Sequence, residues 1–253
     1  MADLEQRKIA AIVGACVADA AAQPLHWVYN DDVMQSVTQD REDVEFWVPS
    51  ANPYYKIEGG RNTCYGDQAY VMLKSLVDSG SFNLENLTKA NYDFFGPESE
   101  YEKPESDIQE SYPVNRPWRH GCLRDFIKNI HDKVTPPGSP EDDQIDCAVR
   151  IIPLVAMYAG HPQMLEVVEK GLRVLQESDL AATIGLAAAR ILEQYILLGD
   201  PGDVLTTVSN KLSDAHREYP QELDKAVAGQ IHQVERVRNE PHAVAVNKYF
   251  KKS

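Results

Sequence analysis

Hydrophobic residues recur at spacings of three and four along most of the chain, the repeat of one helix face. The pattern predicts a first helix that carries residues 9–20 and stops at Pro24, and a second over 67–80. Further helices are predicted near 84–95, 123–130, 162–176, 180–198, 204–217 and 223–238. No segment alternates apolar and polar positions between turn residues, as a half-buried strand would. We therefore expect an all-α protein.

Local signals sharpen some boundaries. Ser139 followed by Pro140 and, three residues after Ser139, Asp142 predicts a helix start, and Pro153 should kink or break that helix. The most apolar segment, 180–198, predicts the central helix of the bundle. Gly14, in the alanine-rich first helix, would let a neighbouring helix approach closely.

We expect one domain over 1–253, interrupted by a long acidic, proline-rich loop at about 96–121. Loops of this length inside a compact domain are uncommon and are usually functional or disordered. The segment is therefore either a solvated loop or a flap beside a ligand cleft.

Charge and composition exclude several classes of protein. The chain has 25 basic and 39 acidic residues, a net charge of −14, which opposes nucleic-acid binding. No continuous apolar run of about 18 residues and no signal-peptide pattern occur, so we expect a cytoplasmic protein without a membrane span. The four cysteines form no Cys-x-x-Cys pair, which argues against a zinc ribbon and favours reduced, buried thiols.

Two acidic residues lie where an apolar helix would not tolerate them without partners. Asp19 lies among small apolar residues, so it either anchors a loop by hydrogen bonds or has a direct role in function. Asp146 lies four residues before Arg150 and is expected to form an ion pair with it. His26, just past the first helix, either bonds to the backbone or faces a cleft.

The segment 65–69 places an acid and an amide, Asp67 and Gln68, at a predicted helix start. Such a pair suits a ligand hydroxyl or a divalent cation, whereas a lone Asp there is more often a helix cap. The motifs of P-loop proteins, dinucleotide-binding folds, zinc proteases and serine hydrolases do not occur.

Three segments in this order resemble the ADP-ribosylglycohydrolase family, and the likeness spans roughly residues 8–200. Residues 18–24 are similar to its Gly-Asp-Ala-Leu-Gly helix, 65–69 to its Thr-Asp-Asp-Thr motif, and 149–154 to its Met-Arg-x-x-Pro-Leu helix. The branch it most resembles contains the J-type lens crystallins and selenoprotein J. The resemblance implies an orthogonal helix bundle with an ADP-ribose cleft and, in active members, two Mg²⁺ ions.

This sequence departs from the family pattern at the metal positions. Only Asp67 of the Asp-Asp pair remains, flanked by Gly66 and Gln68. His26 aligns with an expected glutamate, Gln176 and Glu177 align with a Thr-His pair, and no Asp-x-Asp occurs. In relatives that motif lies beyond the point where this chain ends, so we expect a C-terminally shortened bundle. A paired-metal centre needs several carboxylates, and Asp67 alone cannot hold one.

We therefore expect a soluble structural, crystallin-like protein or a module that binds ADP-ribose or a related nucleotide, without a cofactor. Asp67 and His26 are the catalytic candidates, and Asp67 is the one metal ligand expected if Mg²⁺ is retained. The expected ligand-binding residues are Asp19, Tyr65, Gly66, Asp67, Gln68 and Asp146.

Two alternatives remain at this point. An active ADP-ribosyl hydrolase would need the acids at 31–32 or 142–146 to converge on Asp67. An interaction protein would dock through the acidic loop at 97–111.

Overall fold

The computed structural model describes residues 3–39, 41–102 and 111–250, and over these it is all-α, as predicted. The helices are α1 Leu4–Ala22, α2 Asp31–Thr38, α3 Cys64–Ser79, α4 Leu84–Phe95, α5 Gly121–His131, α6 Asp146–Arg150, α7 Ile152–Tyr158, α8 Met164–Arg173, α9 Asp179–Leu198, α10 Val204–Ser213, α11 Asp224–Val237 and α12 His242–Ala245. A 3-10 turn, Gln23–Leu25, extends α1, and a π-helical turn, Val246–Phe250, follows α12.

Helix α9 lies at the centre of the bundle, as its composition predicts. It packs against α1, α6, α7, α8, α10 and α11. Its first turn is capped by the Ser178 side chain, and it ends at Gly199, whose φ of +81° favours glycine. One continuous core of buried side chains extends from Cys64 in α3 to Ile231 in α11. This core fixes α3 and α5, and α6 packs against α3 and α9; α3, α5 and α6 carry the candidate site.

The predicted helix start at Ser139 is wrong, because the helix begins at Asp146. The Ser139 hydroxyl donates to Asp125, and its backbone pairs with Leu175 and Glu177 in an isolated bridge. These contacts use the groups that would otherwise cap a helix, so the chain stays extended. Pro153 does break the helix, which restarts as α7 at Ile152.

The predicted close approach of a neighbouring helix at Gly14 does not occur among the described residues. Gly14 is exposed, and a methyl group added there would have no atom within 4 Å. An apolar face of α1, formed by Ile9, Val13 and Val17, is also exposed. By length and composition alone, Leu4–Leu25 and Asp179–Leu198 would each be long and apolar enough to cross a membrane. The second of these is α9, the core helix described above.

The acidic loop is described only in part, because residues 103–110 lie outside the described ranges. On its N-terminal side Tyr101 is buried, and on its C-terminal side Val114 pairs with Tyr55 in an isolated parallel bridge. The described ends of the loop are thus held by a contact of Tyr101 with the start of α3 and by the bridge to Tyr55. Helix α2, capped by Asn30, was not predicted from the sequence.

Candidate functional site

Asp19 joins the last turns of α1 to the start of α3. One carboxylate oxygen accepts hydrogen bonds from the Thr63 backbone amide at 2.7 Å and from Asn62 Nδ2 at 3.0 Å. The other accepts from the Thr63 hydroxyl at 2.6 Å. A methyl group added at Gly66 would lie 2.4 Å from Asp19, so glycine is required for this approach. These hydrogen bonds match the alternative in which Asp19 anchors a loop. The predicted ligand-binding role of Asp19 and Gly66 stays a prediction.

Asp67 lies in the first turn of α3 and does not serve as its cap, a role taken by Thr63. Its Oδ2 accepts a hydrogen bond of 2.5 Å from the hydroxyl of the buried Tyr101. Burial raises the pKa of the Asp67 carboxyl to about 6, although the Tyr101 bond and the nearby Arg61 act in the opposite direction. Arg61 itself pairs with Glu100 at 2.5 Å.

Gln68 points away from Asp67. Its Nε2 donates to Asp146 Oδ2 at 3.1 Å, and its Oε1 is buried without a hydrogen-bond partner among the described residues. Asp146 is fully buried at the start of α6, where it meets Arg150 at 3.6 Å, so the predicted ion pair is confirmed. The second position of the family motif thus connects α3 to the interior of the bundle.

Around Asp146 the structure assembles a group that the sequence did not predict, the His-Cys-Asp cluster: His120, Cys122, Asp142 and Asp146. One potential ligand atom from each lies within 4.8 Å of the others. The Cys122 thiol donates to Asp146 Oδ2 at 3.2 Å, and burial raises the pKa of this thiol well above its usual value. The sequence signal that could have indicated this cluster is the His-x-Cys pair just before a predicted helix.

Five aromatic rings form a continuous row from the surface to this cluster, which we call the aromatic row. Trp118 contacts Trp27, Trp27 contacts His26, and Tyr65 lies between His26 and His120, with centroid separations of 4.4–5.8 Å. His26 Nδ1 also hydrogen-bonds the Tyr55 hydroxyl at 2.9 Å, and burial lowers the pKa of His26 to about 4. His26 is therefore neutral at pH 7.

The side chains described around Asp67 do not suit a pair of Mg²⁺ ions. Mg²⁺ requires a near-octahedral shell of oxygens, and two such ions need several uncommitted carboxylates. Asp19 bonds to the loop at 62–63, Glu100 pairs with Arg61, and Gln68 is an amide turned towards Asp146. Within the described ranges, Asp67 belongs to no group of three or more ligand-type side chains. The acids at 31–32 are exposed, and Asp142 approaches Asp146 rather than Asp67.

Comparison with known proteins defines the family. The ADP-ribosylglycohydrolase model matches residues 1–249, and the chain belongs to this family. It is 36% identical to Crystallin J1A of Tripedalia cystophora over 222 residues, which cover 88% of this chain and 67% of that protein. Crystallin J1B of the same organism is 34% identical over 215 residues, covering 85% and 66%. The matched region thus spans about two thirds of the length of these relatives.

Proposed function

We propose that this protein binds ADP-ribose, or a closely related nucleotide, where the end of α1, the start of α3 and the aromatic row meet, without a pair of Mg²⁺ ions. One observation carries the proposal: Asp67 is held by the Tyr101 hydroxyl while Gln68 is turned to Asp146. A motif that holds two metals in active relatives here makes contacts within the protein. Membership of the family supports ADP-ribose as the ligand class.

The chemistry of the site suits a nucleotide. Edge-to-face and stacked contacts with the aromatic row would hold an adenine ring. Asp67 offers a carboxylate oxygen to a ribose hydroxyl, and Arg61 supplies positive charge beside it. His26 also borders an apolar cavity of about 610 Å³ between α1 and α2, which offers space for the adenine ring.

Calorimetric titration with ADP-ribose tests this proposal. We expect one binding event with the same affinity in EDTA and in excess Mg²⁺, since no metal ion takes part. Asp67→Asn should weaken binding only modestly because the amide still accepts from a ribose hydroxyl. No heat at millimolar ADP-ribose, or binding that requires Mg²⁺, would contradict the proposal.

An active hydrolase is the second candidate, and the raised pKa of Asp67 favours it. A carboxyl with a pKa of about 6 is suited to general acid catalysis near neutral pH. Metal-independent glycosidic cleavage usually takes a second carboxylate, and Asp19 already uses both of its oxygens. Release of ADP-ribose from ADP-ribosyl-serine or ADP-ribosyl-arginine decides the matter: turnover lost in Asp67→Ala would establish the hydrolase.

A structural role is compatible with ligand binding. The relatives bear the name crystallin, and a net charge of −14 opposes self-association at high concentration. We propose a soluble cytoplasmic protein on this basis. Light scattering should give a positive second virial coefficient at low salt that falls as salt is added, and a negative value at low salt would contradict this role.

A further inference from the structure

The His-Cys-Asp cluster has the ligand types and spacing of a zinc site. Cys122 Sγ lies 3.2 Å from Asp146 Oδ2, His120 Nδ1 lies 3.4 Å from Cys122 Sγ, and His120 Nδ1 lies 3.5 Å from Asp146 Oδ2. Ligand atoms held around tetrahedral Zn²⁺ stand roughly 3.3–3.8 Å apart. Asp142 completes the group, with all four atoms within 4.8 Å.

An unpartnered polar atom in the cluster points independently to a missing ligand. Asp146 Oδ1 is buried and has no hydrogen-bond partner within the described part of the chain, although the other oxygen of this carboxylate faces Cys122 and His120. Asp146 is 0% exposed and His120 is 3% exposed. Buried polar atoms are almost always paired, so an unpartnered oxygen on a fully buried carboxylate among ligand-type residues indicates that something else binds there.

The fourth ligand is already oriented. Asp142 Oδ1 accepts hydrogen bonds from Gln176 Nε2 at 2.6 Å and from the Gln144 backbone amide at 3.2 Å. Its Oδ2 faces the backbone between His120 and Cys122, where a methyl group at Gly121 would lie 3.0 Å away. Support of this kind around a metal ligand fixes its orientation and raises metal affinity. Asp142 is also partly exposed, which gives an ion a route into the site.

Charge balance favours a divalent ion with affinity for sulfur. With Cys122 as a thiolate and both aspartates ionised, the ligands carry three negative charges. Zn²⁺ and the buried Arg150, 3.6 Å from Asp146, together neutralise them. A thiolate and an imidazole suit Zn²⁺ and not Mg²⁺, which takes oxygen ligands.

We propose that His120, Cys122, Asp142 and Asp146 bind one Zn²⁺ ion as a closed, structural site that joins the start of α5 to the start of α6. Binding transfers the Cys122 proton to solvent and leaves the four protein ligands around the metal. This site does not include Asp67, shares only His120 with the aromatic row, and does not depend on the proposed nucleotide function.

The test uses the full chain without an affinity tag, loaded with ZnCl₂ and passed through gel filtration. Elemental analysis should find close to one zinc per chain, retained in the presence of excess MgCl₂. Cys122→Ser and Asp142→Asn should each lower the affinity for zinc by roughly tenfold or more. Cys147→Ser and Cys16→Ser are matched controls outside the cluster and should retain zinc.

Cobalt provides a direct readout of the ligands. The Co²⁺-loaded protein should show thiolate-to-metal charge transfer and the strong visible bands of tetrahedral Co²⁺, with charge transfer absent in Cys122→Ser. If that variant does not fold, X-ray absorption of the zinc-loaded wild type should show one sulfur at roughly 2.3 Å and lighter ligands at roughly 2.0–2.2 Å. Failure to retain zinc, an oxygen-only shell, or charge transfer that persists in Cys122→Ser would overturn the proposal.

Discussion

Two groups of acidic side chains lie on either side of α3, and they differ in what surrounds them. Asp67 lies near the surface, hydrogen-bonded to Tyr101 and close to the Arg61–Glu100 pair. Asp146 lies in the interior with a histidine, a thiol, a second aspartate and an arginine around it. Gln68, the neighbour of Asp67 in the chain, connects the two groups through its bond to Asp146.

The difference shows how a family motif can keep its position while its chemistry changes. Replacing a carboxylate by an amide at Gln68 removes a charge that a metal pair would need. The same amide donates a hydrogen bond to a buried carboxylate, which an acid at this position would instead repel. The amide therefore supplies no charge to a metal pair beside Asp67, and its hydrogen bond stabilises the cluster around Asp146.

The largest expected effect comes from removing Asp146. Asp146→Ala should lower the free energy of unfolding by about 3–5 kcal/mol, because Arg150 would be left buried without its partner. Urea denaturation in EDTA measures this without a contribution from bound metal. The exposed neighbour Asp143 is the control, and Asp143→Asn should change stability by less than about 0.5 kcal/mol. Equal stability of the two variants would show that the interior pair is not important for folding.

The next effect depends on pH and distinguishes Asp67 from His26. The native state raises the pKa of Asp67 to about 6, so its contribution to stability is full below pH 3.8 and lost as pH rises through 6. The pKa of His26 falls to about 4, so its contribution is full above pH 6.5 and lost as pH falls through 4. The two slopes oppose each other in the wild type.

Asp67→Asn separates these contributions. Relative to the wild type, the stability of this variant should rise by up to about 3 kcal/mol between pH 4 and pH 6, because the amide side chain has no proton to lose. Urea denaturation of the variant and of the wild type across this range measures the difference. A flat line for Asp67→Asn would mean that the pKa of Asp67 is not raised.

A pair of glycines tests the close contact between α1 and α3. Gly66→Ala should destabilise the protein by about 1–3 kcal/mol, since the new methyl group would overlap Asp19 and Asn62. Gly14→Ala, in the open and exposed middle of α1, should instead stabilise it by up to about 1 kcal/mol. Thermal unfolding compares them, and a shift of the same sign in both would contradict the described packing.

The smallest effect concerns the aromatic row. Trp118→Leu should weaken ADP-ribose binding by about 0.5–1.5 kcal/mol, because the outermost ring of the row is lost. Trp47, which packs on Arg41 and is not part of the row, is the control, and Trp47→Leu should leave the affinity unchanged. Calorimetry measures the affinity of both variants. Equal losses of affinity would mean that the nucleotide does not bind at the aromatic row.

The helical pattern predicted most of the fold because core helices have a strong apolar periodicity. Helix α9 was predicted over 180–198 and lies over Asp179–Leu198, since the Ser178 cap and the glycine at 199 are local signals. The false start at Ser139 shows the limit of such signals, because its capping groups bond to Asp125, Leu175 and Glu177, which belong to other segments of the chain. Helix α2 was missed because it is only eight residues long.

The candidate site was predictable only where its residues are close in sequence. The 65–69 motif and the Asp146–Arg150 pair were identified because each lies within one or two helical turns. The Tyr101–Asp67 bond and the meeting of His120 with Asp146 join residues far apart in the chain, which no local pattern brings together. The cysteine spacing argued only against a zinc ribbon and favoured reduced, buried thiols, and Cys64, Cys122 and Cys147 are indeed free and buried.

A crystal structure grown with ADP-ribose and excess Mg²⁺ tests the central claim most directly, namely that the Asp67 region binds a nucleotide without paired metal ions. The account predicts the nucleotide beside the aromatic row, with Asp67 still bonded to the Tyr101 hydroxyl. Two Mg²⁺ ions beside Asp67, with protein oxygens at about 2.1 Å, would contradict it.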